Sequence, residues 1–475
     1  MDYKFTIKNR TGLTLKVNVP EAPEGEDSFD WTDKKDPHTL IHTIEILNNA
    51  NSVFNLSGKM FASDPWFITN VADAAGNFIA ILYTKLDGNP INEKIVINDN
   101  NNTVADGYVI VRDYQNKDTY SYTIQSSIRF LVSSDFHIKN NEDKKKQLNS
   151  LITAVENLSP APGFYAICGD LTDNNDRDQE EIYEDFFDKI KAKTIICDGF
   201  GNHDTLRKIG DLTDVKKGVA YRNTHYRNEY LSDYKQSEND FHYSWKYMLA
   251  NGSDTVNIYF FMLNNVAGYG ERENDDYYQR DEANPFHALD FLKTQLGTLT
   301  DKDYYCLFFH TNFRCERLDS ETSERWWTNE DKEKFYDLIT QNNAHYVTSF
   351  FGHVHSTTDD GNNRVVEEFL DFNNERQIKY NPLYGYRCRC NGGDGAKYFC
   401  IVDASVADKI LEIKLKPQNV NQESNGEKTD DGELYLLNHT DLIDSAKNTI
   451  ARSVTLRFDI QTGKELDRII ETIKK

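Results

Sequence analysis

From about residue 127 onward one repeated pattern restricts the fold more than any other feature. Short, continuously apolar runs are each followed by polar residues of the same few kinds. The runs are IRFLVSS, GFYAICG, KTIICDGF, VNIYFFML, YYCLFFH, YVTSFFG and KYFCIVDA. An unbroken apolar run of this length reads as a strand covered on both faces. Between the runs lie the amphipathic stretches KKKQLNSLITAVENL, EEIYEDFFDKIKA, HALDFLKTQLGTL and DKEKFYDLITQNN. Strands alternating with helical patterns predict an α/β domain.

Five of the runs end in ionisable or amide side chains. FLVSS leads into Asp135 and His137, and YAIC into Gly169, Asp170 and Asp173. IICDGF leads into Gly201, Asn202, His203 and Asp204. YCLFF ends at His310 and Asn312, and VTSFF at Gly352, His353 and His355. In layered α/β proteins ligands gather at the carboxyl ends of strands. His353 and His355 stand two apart, so an extended chain turns both to one side. Paired neutral imidazoles suit metal ions.

Asp135, His137, Asp170, Asn202, His310, His353 and His355 make seven N/O donors. If Asp170 is shared, each of two ions receives four. Such a donor set without thiolate suits Mn, Fe, Zn or Ni better than Cu(I). Two ions about 3.5–4 Å apart can clamp a phosphoryl group and activate a bridging water. The pattern therefore reads as a phosphoester hydrolysis site.

The ordered set DxH, GD, GNHD, H and GHxH resembles the calcineurin-like metallophosphoesterases over roughly residues 127 to 405. The resemblance implies a four-layer α-β-β-α sandwich. It implies a first metal on Asp135, His137, Asp170 and His355, and a second on Asp170, Asn202, His310 and His353. His203 would stabilise charge or protonate the leaving oxygen, and Asp204 would orient its imidazole. A metal-bridging hydroxide would attack phosphorus in line. Purple acid phosphatases carry a tyrosine where this chain has Asp173, so a tyrosine-bound ferric ion is not expected. The strings GDLTD and GNHD look more like the cyclic-nucleotide phosphodiesterase and glycerophosphodiesterase branch, which favours diesters over monoesters. A protein or small-molecule phosphomonoesterase is the alternative. A lipid- or glycan-binding protein with an accessory phosphoesterase domain is another.

Residues 1–126 read differently. Short alternating runs such as KFTIKN, LTLKVNV, FIAILYTK and GYVIVRDY, separated by turn clusters, predict an all-β, sandwich-like domain. IKNRTGLTL and NLSGKMFASDPWF resemble membrane-binding β-sandwiches of the aegerolysin type, so lipid or glycan contact is one role for this region. Residues 406–475 are expected to add strands, KILEIKLK and SVTLRFDI, and a short helix, KELDRIIETIKK, packed on the catalytic domain.

Lys+Arg 54 against Asp+Glu 77 gives a net charge of -23, which argues against duplex nucleic acid as a partner. A phosphoester small molecule is the expected substrate. No apolar run is long enough to span a bilayer, and the opening MDYKFTIKNR lacks a signal-peptide core, so a cytoplasmic location is expected. The seven cysteines lack paired CxxC spacing and read as reduced. Asp173 reads as a loop carboxylate. His225, His242, His287 and His345 read as structural or exposed. The segment from Thr205 to about Pro285, rich in Tyr and Arg, lies between two ligand strands and reads as loops over the site or as a solvated insertion. Trp326 and Trp327 read as a second rim or as helix packing.

Overall fold

The computed structural model describes residues 2–11, 13–20, 29–30, 41–47, 50–57, 66–87, 96–98, 103–105, 107–116, 119–158, 162–205, 214–251, 254–264, 287–310, 329–353, 385–387, 398–420, 434–437 and 450–472. His355, Asn312, Trp326 and Trp327 lie outside them. The chain divides into two compact units. The first holds Met1–Ile128, Leu249–Thr255 and Ser405–Lys409; the second holds Arg129–Met248, Val256–Ala404 and Ile410–Lys475.

The first unit is all strand among its described elements, as the alternating runs predict. Strand Asp2–Arg10 pairs antiparallel with Asn51–Ser57 and parallel with the start of Thr119–Ser133. Tyr108–Asn116 joins the same sheet. A second sheet orders Ile41–Ile46, Leu15–Pro20, Trp66–Asp73 and Phe78–Asp87, all antiparallel. Period-2 alternation sends Ile7, Leu15, Val17, Leu82, Tyr122 and Ile124 into one core, each fully buried.

In the second unit the apolar runs form two sets of parallel strands. Thr119–Ser133, Phe164–Ile167 and Ile195–Asp198 pair in that order. Asp254–Leu263, Asp303–Phe309, His345–Phe351 and Gly385–Arg387 form the other set. Alternation explains why both faces are apolar. Phe130, Phe164, Phe260, Phe308 and Phe350 meet one another as rings in a single aromatic layer. Their chain neighbours face outward. Leu131 and Tyr165 pack with helices Glu142–Glu156 and Arg177–Ile190. Phe261, Leu307 and Phe351 pack with Ala288–Leu296 and Asn329–Thr340. Helix, sheet, sheet and helix are thus the four layers.

The C-terminal stretch corrects one expectation. Where a helix is expected over KELDRIIETIKK, the described residues Glu465–Thr472 form a strand antiparallel to Ile450–Asp459. Its Leu and Ile spacing suits a helix, but a tight turn decides otherwise. Asp459 N donates to Lys464 O, and Gly463 sits at φ +67, where glycine is favoured. That hairpin gives the segment a ladder partner, which outweighs weak local helix propensity. Sequence reading also missed helix Asp214–Arg222 and strand Tyr243–Asn251. Among the described residues no helix is long and apolar enough to cross a membrane.

The aromatic layer holds the sheets in register. Phe308→Ala should lower unfolding free energy by about 3–5 kcal/mol, checked by urea denaturation. A loss below about 1 kcal/mol would mean the layer collapses around the gap.

Candidate metal centre

The parallel strands bring all five polar endings to one edge. Asp170 stands at the middle. Its Oδ2 lies 3.3 Å from His137 Nε2 and 3.1 Å from His310 Nε2. Its Oδ1 accepts the His203 backbone N–H at 2.9 Å. Asn202 Oδ1 lies 3.0 Å from His310 Nε2 and 2.8 Å from His353 Nδ1. Asp135 Oδ1 accepts the His353 N–H at 2.9 Å and lies 3.9 Å from His137 Nε2. Six of the seven expected donors are therefore together, and the seventh, His355, lies outside the described residues.

Two donor groups share one carboxylate: Asp135, His137 and Asp170, and Asp170, His310 and His353. Asp170 Oδ2 is buried and accepts no regular hydrogen bond, although two imidazole nitrogens face it. His310 Nδ1 is 2.8 Å from the Cys168 carbonyl and donates to it. That keeps one proton on Nδ1, so the proton a metal would displace is the one on Nε2, facing Asp170. This convergence of carboxylate, amide oxygen and imidazole fits two hard or borderline cations.

The local sequence shows why the turns close so tightly. A Cβ at Gly201 would overlap Asp170 Oδ1, and one at Gly352 would overlap Ser134 Oγ and Asp135 Oδ2. The glycines of GNHD and GHVH are there because side-chain oxygens occupy the space. Asp135, His137, Asp170 and His353 all have positive φ, at 57, 43, 51 and 70. Non-glycine residues held in that region store strain, which gathers at functional sites. The surroundings hold it in place. Asp135 N donates to Gly169 O, His137 N to Asp170 O, and Gly352 N to His310 O. Lys144, in the first turn of Glu142–Glu156, donates from Nζ to Phe136 O at 2.9 Å.

Charge is concentrated here. Burial opposes ionisation of Asp170, but the adjacent His310 and His137 hold its carboxyl well below the ordinary range. Burial likewise opposes charge on His310, yet Asp170 raises the imidazole to about 9. Burial, and next the Asp170 charge, push the Asp204 carboxyl up.

Three expectations change. Asp204 does not orient His203. Its carboxylate accepts from Leu171 N, Thr172 N, Thr172 Oγ1 and Gly201 N. His203 Nδ1 instead meets the Asp173 carbonyl at 2.5 Å. Asp173 is more than a loop carboxylate, since its Oδ1 lies 3.5 Å from His137 Nδ1 and 3.4 Å from Lys139 Nζ. Gln179 holds that loop by accepting from Asp173 N and Asn174 N. The third change concerns the described part of the Tyr- and Arg-rich segment, since GYGERENDDYYQRDE lies outside the described residues. Arg222 and Arg227 are not at a rim. They are buried and address the two carboxylate oxygens of Asp198, with Tyr183 donating to the same group. A π-turn, Asn223–Arg227, brings arginines five residues apart to one side. No spacing rule for α-helices could have found that. His242 is buried with Nδ1 accepting from Asn264 N, and His225 stacks on Tyr221, so both are structural, as expected.

The model for the calcineurin-like phosphoesterase family matches residues 128–378, and the chain belongs to that family of metal-dependent phosphoester hydrolases. The family implies a dinuclear metal centre. A purple acid phosphatase from yellow lupin (Lupinus luteus) seeds aligns over 92% of this chain and 96% of its own, at 11% identity and TM-score 0.35. A phosphopantetheinyl hydrolase from Mycobacterium tuberculosis aligns over 50% of this chain and 86% of its own, at 18% identity and TM-score 0.30. No curated protein matches the chain.

Metal uptake should depend on pH with a defined sign. In the metal-free protein His310 keeps its proton up to pH about 9. A cation entering beside Asp170 must displace it. Manganese(II) affinity should therefore rise with pH up to about 9, with protons released on binding. Isothermal titration in two buffers of different ionisation enthalpy reads both. Affinity that stays flat from pH 6.5 to 9 would contradict the linkage.

Proposed function

We propose that the chain hydrolyses phosphodiesters in preference to monoesters. Asp135, His137, Asp170 and His355 would hold one metal ion, and Asp170, Asn202, His310 and His353 the other. The supporting observation is Asp170 Oδ2, set between His137 Nε2 and His310 Nε2 at 3.3 and 3.1 Å. Ions bound there would lower the pKa of a water and neutralise phosphoryl oxygens. Mn, Fe, Zn and Ni all suit the donors.

The protein's own groups divide the remaining work. Backbone hydrogen bonds hold the donors in place, so little reorganisation accompanies the reaction. His203 keeps its Nδ1 proton on the Asp173 carbonyl, so Nε2 is where a proton is held and given to the leaving oxygen. The diester preference has a charge argument. Beside the Asp135–His137 turn, among the described residues, the Lys139 charge is offset by the Asp173 carboxylate. A monoanionic diester needs less added positive charge than a dianionic monoester.

Metal-stripped protein, restored with Mn, Zn, Fe or Mg singly, should turn over bis-p-nitrophenyl phosphate faster than p-nitrophenyl phosphate. A monoester advantage with every metal would reverse the preference, and no turnover with two ions bound would sink the hydrolytic reading. His203→Ala should lower kcat on a diester with a poor leaving group by about 10²–10⁴. Metal content should stay unchanged, and the defect should shrink with p-nitrophenol as leaving group. Equal losses on both substrates would remove His203 as the proton donor.

A further inference from the structure

We propose that Asp204 is a positioning residue for the metal centre, acting on the backbone of the Asp170 and Asn202 turns and not through the His203 imidazole. The inference rests on the metal-centre reading above. Asp204 is fully buried. Oδ2 accepts Leu171 N at 3.0 Å and Gly201 N at 2.9 Å. Oδ1 accepts Thr172 N and Thr172 Oγ1, both at 2.8 Å. One carboxylate thus ties the turn just after Asp170 to the turn just before Asn202.

The tie extends to neighbouring turns. Ile138 N donates to Leu171 O, and His137 N to Asp170 O. His203 N donates to Asp170 Oδ1. The 137–138, 170–172 and 201–203 segments therefore lie in one hydrogen-bonded stack, and Asp204 is a side chain inside it. Asp170 Oδ2 and Asn202 Oδ1 both stand beside His310 Nε2, so the separation of their turns sets how the shared carboxylate and the amide oxygen meet at the second donor group. A backbone anchor between their turns fixes that separation. Charge-assisted bonds to backbone N–H suit the task, being short and strong.

The geometry also limits what can replace Asp204. An asparagine offers one acceptor oxygen, while its amide N–H groups would face donors on the other side. Two of the donors would then lose their acceptor in a buried place, where unmet hydrogen bonds cost most.

The experiment is a manganese(II) titration of full-length wild type, Asp204→Asn, Thr172→Val and His203→Ala. Free ion is read by electron paramagnetic resonance, and fold by thermal melting. Asp204→Asn should weaken metal binding by about 10–100-fold, as for lost partners of ligand residues. Thr172→Val removes one donor of the same cluster and should weaken it by a few-fold. His203→Ala should bind as wild type. Asp204→Asn with wild-type metal affinity, and a turnover loss matching and not adding to that of His203→Ala, would overturn the proposal and return Asp204 to the imidazole. Should Asp204→Asn fail to fold, Thr172→Val decides: unchanged metal affinity there overturns it. Wild type that binds no manganese at all would instead sink the metal-centre reading, and this inference with it.

Discussion

The architecture of the second unit depends on keeping one buried carboxylate charged. Asp170 is wholly inside the protein, where an isolated charge is costly. Its neighbours supply the compensation: imidazoles of His137 and His310 on Oδ2, and the His203 N–H on Oδ1. Each comes from the end of a different strand. The strands must therefore be parallel within each set and finish at the same level. The glycines at 201 and 352 follow from the same constraint, because the oxygens of Asp170 and Asp135 fill the places of their missing side chains.

Around this centre the structure spends polar groups on rigidity. Four donor residues sit at positive φ. Helix Glu142–Glu156 starts on the Asn141 side chain, which accepts Lys144 N, and returns Lys144 Nζ to the carbonyl between Asp135 and His137. Helix Arg177–Ile190 supplies Gln179, whose side-chain oxygen holds the Asp173 loop. Both helices thus couple their starts to the site while burying their apolar faces on the sheet. Asp198, the last residue of the strand that leads to Asn202, is held by Arg222 and Arg227. Breaking such a buried group by removing one partner is strongly destabilising, although the intact cluster is weak evidence of net stability.

Much of this was legible in the sequence because the signals are local. Continuous apolar runs foretell strands covered on both faces, and the aromatic layer with its outward neighbours is the realised form of IRFLVSS, VNIYFFML and YYCLFFH. The residue types at the strand ends name the chemistry, and six of seven expected donors converge. Where the reading failed, the deciding partner was distant. GNHD places Asp204 beside His203 in the chain, yet its carboxylate faces Leu171 and Thr172, more than thirty positions earlier.

By itself, then, the sequence determined the apolar strands of the catalytic region, the helices between them and which donors stand at the strand ends, since hydrophobic period and residue type are properties of short stretches. Tertiary structure alone decided which donor meets which. It turned Asp173 toward His137, sent Arg222 and Arg227 inward to Asp198 through a π-turn, and made Glu465–Thr472 a strand. The physical reason is the same in each case. A buried polar group, or a bare strand edge, must find a partner, and that partner is supplied by whichever segment the fold brings within reach.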